Sequence, residues 1–577
     1  MRKLLPYLKG YYTESLLGPL FKLLEVCFEL LVPLIMAAII DKGVAASDTV
    51  YILRLGGLLV LLGILGLASA LTAQYFAAKA AFGFATALRR DLFAHINRLS
   101  FVQLDKVGSG GLITRITGDI NQTQSGVNLI LRLFLRSPFV VVGALIMAFT
   151  VSKKLGLIFA VTIPLLSLVI FIIMAAGIPL YKAVQTHLDK ISLSTRENLN
   201  GVRVIRAFSR QKTEQEQFDL RLALLKKGQL LAGNISALMN PLTYVLVNGA
   251  IILLLWQGAG EVNIGALTSG EVIALVNYMT QILIALIALA QLIVTVTRAS
   301  ASADRICEVL SMVPDMTDEG NEAQAPVPNA PKICMEKVSF AYPGTDEPAL
   351  SNISITIQAG ETIGIIGATG AGKSTLVHLL PRFYDVTSGR VLLDGVDVKH
   401  YPFEQLREKL GIVPQKAVLF QGTIRENLKW RKKTATDEEI NHALAIAQAA
   451  ETVKDKGGLD AMVSQGGKNF SGGQRQRLTI ARALVGNPEI LILDDSASAL
   501  DFATDARLRQ ALQASTKDMT VLIVSQRVAS LKHADKILVL DDGVQAGYGD
   551  HQTLFATCDV YREICDSQGV GEEVQSL

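Results

Sequence analysis

Apolar residues fall in long, nearly unbroken runs over the first 300 positions and in short, punctuated ones after about position 330. A helix needs about 20 apolar residues to cross a bilayer core. Six stretches meet that length, at roughly 16–40, 51–78, 128–152, 155–180, 237–257 and 271–294. Six such runs in 300 residues are more than the core helices of a soluble protein would supply. Only Ser152, Lys153 and Lys154 separate the third run from the fourth, which predicts a tight helical hairpin. The second-to-third and fourth-to-fifth connections keep helical periodicity, so the helices are expected to continue beyond the bilayer.

Residues 312–332 are polar and proline-rich, the composition of a linker. Beyond them, strand-like runs at 362–366, 490–494, 520–525 and 536–540 alternate with helical stretches. Alternation of that kind predicts an α/β layer whose sheet core is largely parallel. The expected organisation is an all-α membrane domain over 1–311, a linker over 312–332 and a soluble α/β domain over 333–577.

Composition agrees with a membrane half and a soluble half. Half of the 577 residues are hydrophobic and 19% are charged, with a mean hydropathy of +0.37. A net charge of +3 is too small to argue for nucleic acid as a partner. Five cysteines (Cys27, Cys307, Cys334, Cys558 and Cys565) lack metal-ligand spacing and fit a reducing cytosol. The opening residues, Met1 to Lys9, have no apolar core before a small-residue cleavage site and read as an interfacial lead-in.

Lysine and arginine set the expected orientation. Residues 181–230 carry ten of them, and the second-to-third connection adds Arg89, Arg90, Arg98, Lys106 and Arg115. The opposite face offers Lys42, Lys153 and Lys154. A multi-pass protein of the plasma (inner) membrane is therefore expected, with both termini and the soluble domain cytoplasmic. Within the spans, Glu25 and Glu29 share one helical face, where a cavity or a partner should compensate them. Asn240, Asn248, Asn277, Gln281 and Gln291 are candidates for a substrate path, or for interhelical hydrogen bonds.

The most specific chemistry lies in Gly367, Ala368, Thr369, Gly370, Ala371, Gly372, Lys373 and Ser374, followed by Thr375. This run matches G-x-x-x-x-G-K-[ST], with a strand expected before it and a helix after it. Glycines let the backbone close around a phosphate without a Cβ in the way, so that several N–H groups point inward. Lys373 would then meet the β- and γ-phosphates, and the Ser374 hydroxyl would ligate Mg²⁺. The chain is expected to bind a nucleoside triphosphate with Mg²⁺.

Further motifs extend the picture. Phe470 leads into Ser471, Gly472, Gly473 and Gln474; Ile490 to Asp494 is an apolar strand ending in a carboxylate. Gln415 follows Val-Pro, Ser498 to Asp501 reads Ser-Ala-Leu-Asp, and Tyr342 ends Val-Ser-Phe-Ala-Tyr. With the phosphate loop, these resemble the nucleotide-binding domain of an ATP-binding cassette (ABC) transporter, and the whole chain resembles an exporter-type half-transporter. The resemblance implies six helices followed by an α/β P-loop cassette. It implies that Tyr342 stacks on adenine and that Ser374, Gln415 and Asp494 surround Mg²⁺. It also implies that Ser471 to Gln474 complete the site of a second cassette. Open N–H groups and the helix dipole suit that stretch to phosphate. Gly111 to Asp119 and Gly201 to Phe208 resemble the coupling helices of such exporters.

Two positions depart from the family pattern. Asp495 stands where a glutamate usually polarises the attacking water, and Gln526 where a switch histidine contacts the γ-phosphate. One methylene fewer retracts the carboxylate by about 1.5 Å, and displacements of ~1 Å can cost roughly 10²-fold. Glutamine donates a hydrogen bond but cannot become cationic. The expectation is a site kept for binding and relieved of turnover, in one subunit of a heterodimeric exporter of hydrophobic or amphipathic small molecules. The partner would be a second half-transporter with its Walker B glutamate and switch histidine intact. The alternatives are a homodimeric lipid or peptide exporter, an importer built on the exporter fold, or an ATP-gated channel.

Overall fold

Helices occupy the apolar half wherever the long runs predict them. The computed structural model describes residues 2–317, 322, 324–345, 347–496, 500–515 and 519–569. The chain divides into two units: Met1–Asn97 with Gly108–Met312, and Arg98–Val107 with Val313–Leu577. A 3-10 segment, Arg2–Tyr11, leads into α1 (Tyr12–Ala38) and α2 (Thr49–Ile96). Then come α3 (Phe101–Val107), α4 (Ser109–Thr114), α5 (Ile120–Leu133), α6 (Arg136–Val151) and α7 (Lys153–Asn200). The half ends with α8 (Val202–Ala207), α9 (Gln211–Ala237), α10 (Met239–Asn263) and α11 (Ser269–Leu310).

Among the described residues, six helical stretches are long and apolar enough to cross a membrane: Lys3–Val44, Thr49–Ile96, Ser109–Val151, Lys153–Asn200, Gln211–Asn263 and Ser269–Leu310. Each predicted run overlaps one of them. At ~1.5 Å per residue, α2 and α7 (48 residues each) reach about 72 Å, more than twice a bilayer core of ~30 Å. The predicted continuation beyond the bilayer is present.

Local chemistry fixes the ends. Ser152 closes α6 and opens α7 in an extended conformation (φ −152°, ψ 121°), its hydroxyl accepting from the Leu155 N–H at 3.3 Å. Thr268 and Glu271 form a capping box at the start of α11, and Asp41 accepts from the Gly270 N–H at 2.7 Å. Small residues let α1 and α2 approach: a Cβ on Gly18 would lie 3.4 Å from the Ala77 nitrogen, with Ala73, Ala80 and Ala81 buried nearby on α2. Tyr278 is fully buried, and its hydroxyl donates to the Leu30 carbonyl at 2.6 Å.

The second unit is built on a curled sheet. Its strands are β1 (Ile333–Phe340), β2 (Leu350–Ile357), β3 (Thr362–Gly367), β4 (Ser388–Leu393), β5 (Val396–Asp397) and β6 (Leu410–Val413). After a small pair, β7 (Gly422–Thr423) and β8 (Met462–Val463), follow β9 (Ile490–Asp494), β10 (Thr520–Val524), β11 (Lys536–Asp541) and β12 (Val544–Gly549). Ten strands run β5-β4-β1-β2-β12-β11-β3-β10-β9-β6. The stretch β11-β3-β10-β9-β6 is parallel, as predicted, and every residue of β9 is buried, as a central strand requires. An antiparallel wing of β5, β4, β1 and β2 extends the sheet beyond the predicted strands.

Four charged side chains tie the starts of β1, β6 and β9 to the end of β4. Lys332 and Lys409 reach Asp394 at 2.7 and 3.0 Å, and both also bond Glu489. Burial pushes the Asp394 carboxyl up, but the two lysines outweigh it and hold the group below the usual carboxylate range.

The second unit also takes in Arg98–Val107. On α3, Val102 packs against the sheet core and the Phe101 ring lies 4.6 Å from that of Phe383. The Tyr384 hydroxyl donates to Asp105 at 3.2 Å. Gly111–Asp119, one of the two segments that resemble coupling helices, lies in the helical unit, where Arg305 holds Asp119 at the end of a π turn (Arg115–Asp119).

Candidate nucleotide-binding site

The phosphate loop joins β3 to α12 (Lys373–Leu379) at the carboxyl edge of the parallel strands. Gly370 and Gly372 take left-handed φ values of +92° and +86°. A Cβ on Gly372 would also meet the Ala349 carbonyl at 2.6 Å, so glycine is required there on two counts. The Lys373 ammonium is buried and donates to the carbonyls of Gly367 and Ala368 at 2.8 and 2.7 Å. Burial lowers its pKa against the pull of Asp495 and Asp494. Ala368, Thr369 and Ala371 complete the loop, and its amides are the donors it can offer an anion.

Asp494 ends β9 beside α12. Its carboxylate accepts from the Ser374 hydroxyl at 2.8 Å and is 3% exposed. Burial raises its pKa, with the Ser374 hydrogen bond acting against that. A buried carboxylate compensated by a hydroxyl, with a second hard oxygen donor adjoining, fits a Mg²⁺ ion.

Asp495 lies in the left-handed region at φ +44°, its N–H donating to the Val524 carbonyl at 3.0 Å. Gln415, just past β6, donates to the Asp495 carboxylate at 3.3 Å. Val524 pairs with both Asp494 and Ile365, so Gln526, two residues further on, lies at the same edge. Gln526 is exposed, and its carbonyl accepts from Gln568 at 2.8 Å.

Tyr342 joins the group through its hydroxyl, 3.0 Å from that of Thr375, and its ring lies edge-on to Phe340 and Tyr384. Ser471 caps the helix Gly472–Leu484. Its hydroxyl accepts from the Gln474 N–H at 3.3 Å, and the Gln474 side chain returns to the Ser471 N–H at 2.9 Å. Ser471 and Gly472 are exposed, with Gly473 partly so, which leaves that helix start open as a separate surface. Of the Ser498 to Asp501 motif, Ser498 and Ala499 lie outside the described residues, while Asp501 accepts from the Thr504 N–H at 3.1 Å.

One neighbour was missed. His378 lies 3.7 Å from the Asp494 carboxylate, and burial holds its imidazole below the ordinary value against that carboxylate. The signal was present: His378 is four residues after Ser374, hence on the same face of α12.

In the helical unit, Glu25, Phe28, Glu29, Gly63, Gly66 and Arg136 are among the residues lining a cavity of about 420 Å³. Both carboxylates are paired, Glu25 with Lys22 at 2.5 Å and Glu29 with Arg136 at 3.0 Å. Each carboxylate at the cavity thus has a cationic neighbour. Asn240, Asn248, Asn277 and Gln291 are exposed, and Asn277 donates to its own helix at Ile273. Gln281 keeps a buried carbonyl oxygen without a hydrogen-bond partner among the described residues. All five cysteines are free.

The profile of the ABC transporter transmembrane region matches residues 15–286, and that of the ABC transporter cassette matches residues 350–498. The chain is 38% identical over 561 residues, 96% of each sequence, to an uncharacterized ABC transporter ATP-binding protein of Mycobacterium tuberculosis. It is 32% identical over 576 residues to a probable multidrug resistance ABC transporter ATP-binding/permease protein of Bacillus subtilis, covering 98% of this chain and 97% of that one. Its fold is similar to that of a bacterial Atm1-family ABC exporter solved with ATP bound. There the TM-score is 0.80 at 25% identity, over 97% of this chain and 99% of the other.

Proposed function

We propose, for a chain that belongs to the ABC transporter family and carries the exporter-type membrane half, a role as one subunit of a heterodimeric exporter. Its cargo is a hydrophobic or amphipathic small molecule, and its own ATP site binds nucleotide and turns it over poorly. The observation that carries this reading is Asp495 together with Gln526 in an otherwise complete site.

In this reading Lys373 exchanges the Gly367 and Ala368 carbonyls for the β- and γ-phosphates, and Tyr342 stacks on adenine. Ser374, Gln415 and Asp494 would hold Mg²⁺, which when bound neutralises phosphate charge. Asp495, steadied by Gln415, accepts a proton from a water attacking the γ-phosphoryl group, and ADP leaves with the bridging oxygen. The retracted carboxylate makes that step slow. Gln526 donates to the γ-phosphate without taking up a proton. Ser471, Gly472, Gly473 and Gln474 complete the partner's site, where the partner's glutamate and histidine hydrolyse ATP.

ABC exporters work as dimers, and this chain leaves an apolar tip uncovered by itself. On and just beyond α8, Val204 is 60% and Phe208 73% exposed, which supports their docking on a second subunit. The lysine and arginine excess of residues 181–230 supports a cytoplasmic cassette and cytoplasmic termini at the plasma (inner) membrane. Copurification from native membranes tests the reading. A second half-transporter with glutamate and histidine at the two positions should come along in equal amount, and this chain alone should release phosphate slowly. Brisk release by the chain alone would overturn it.

A further inference from the structure

We infer that His378 is a positioning residue for Asp494, and that α3 sets its position through Phe383. The inference rests on the reading of Asp494 as a cation ligand. Its geometry is a continuous series of contacts within the second unit. The Phe101 ring on α3 lies 4.6 Å from the Phe383 ring, tilted by 42°. Phe383 in turn lies 5.6 Å from the His378 ring, and its N–H donates to the His378 carbonyl at 3.1 Å. The His378 Nε2 stands 3.7 Å from one oxygen of Asp494, whose other oxygen is held by Ser374.

At 3.7 Å the imidazole is about half an ångström outside hydrogen-bond range. A small advance of Phe383 closes that gap and aims the carboxylate, and a small retreat releases it. Packed aromatic rings transmit such a displacement because they compress little. Arg407 braces the lever, its guanidinium 5.8 Å from the centre of the Phe383 ring. Four residues, 97–100, separate the end of α2 from Phe101 at the start of α3. The same segment touches the other end of the site, through Asp105, Tyr384 and Tyr342 to Thr375. The position of α3 thereby adjusts cation affinity in the chain's own nucleotide site, even where that site hydrolyses little.

Mn²⁺ serves as the probe, titrated by electron paramagnetic resonance into the full-length protein in lipid with saturating ATP. ATP affinity in excess chelator is measured in parallel. His378→Leu should weaken Mn²⁺ binding by ~10-fold, the usual loss when a group that orients a ligand is removed, and leave metal-free ATP binding unchanged. His378→Gln, which keeps a donor, should recover most of the loss. Phe101→Ala, on a partly exposed ring that touches no ligand, should shift Mn²⁺ binding in the same direction as His378→Leu. Unchanged Mn²⁺ affinity in both His378→Leu and Phe101→Ala, or equal losses with and without metal, would overturn the inference. If His378→Leu does not fold, Phe101→Ala and His378→Gln decide it. Asp494→Asn is the control: if it binds Mn²⁺ as the parent does, the ligand assignment itself has failed.

Discussion

Replacing Asp495 by glutamate puts the proposed division of labour to a direct test. The added methylene advances the carboxylate by about 1.5 Å. Gln415 already lies 3.3 Å from the Asp495 oxygen, so its amide must turn with the longer side chain. If reach is what limits the chain, restoring it returns up to ~10²-fold, equivalent to about 2.7 kcal/mol of barrier. The cost is conformational. Position 495 has φ +44°, a region aspartate tolerates better than glutamate, so a stability loss of about 1 kcal/mol or less should accompany the gain. The assay is phosphate release by the purified chain in lipid at saturating ATP and Mg²⁺, with ATP affinity measured alongside. Turnover should rise ~10- to 100-fold while affinity stays constant, and adding Gln526→His should raise it further. A folded Asp495→Glu protein that binds ATP normally and hydrolyses no faster would show that a short carboxylate is not the deficit.

Other substitutions follow from the same geometry. Lys373→Ala should weaken ATP binding in a filter or fluorescence assay, and should impair transport less than the equivalent change in the partner. In the helical unit, Arg136→Leu leaves Glu29 without its 3.0 Å partner. It should therefore lower the melting temperature in lipid more than the double variant with Glu29→Leu, because an unpaired charge costs more than a lost pair. Asp394 gives a pH test. Its folded pKa lies below the ordinary 3.8, so its contribution is full above that value and is lost as pH falls through the lowered one. The gap in melting temperature between the parent and Asp394→Asn should hold from pH 6 to about 4 and narrow as the pH is taken further down, through the lowered value. A gap that stays constant below pH 3.8, down to the acid limit at which both proteins still fold, would refute the assignment.

What could be seen in the sequence was what local pattern controls. The apolar runs located all six long helices, and the buried runs at 362–366 and 490–494 located central parallel strands. The antiparallel wing escaped because β1 and β2 alternate buried and exposed positions, leaving few consecutive apolar residues, although their period-2 pattern was there to be read. Pairings across long stretches of chain were out of reach. Arg136 neutralises Glu29 from 107 residues away, and Asp105 meets Tyr384 from 279. The same reason hid α3: a seven-residue helix with one phenylalanine and two valines declares no partner until Phe383 and Tyr384 are folded beside it.

Ser152 has a mechanical consequence for the membrane half. A single residue links the end of α6 to the start of α7, and one extended residue spans no more than ~3.6 Å. Those two rods cannot splay at that end, however the bundle moves. Any mouth that opens there must part along a seam between other helices, with the joined ends of α6 and α7 moving together.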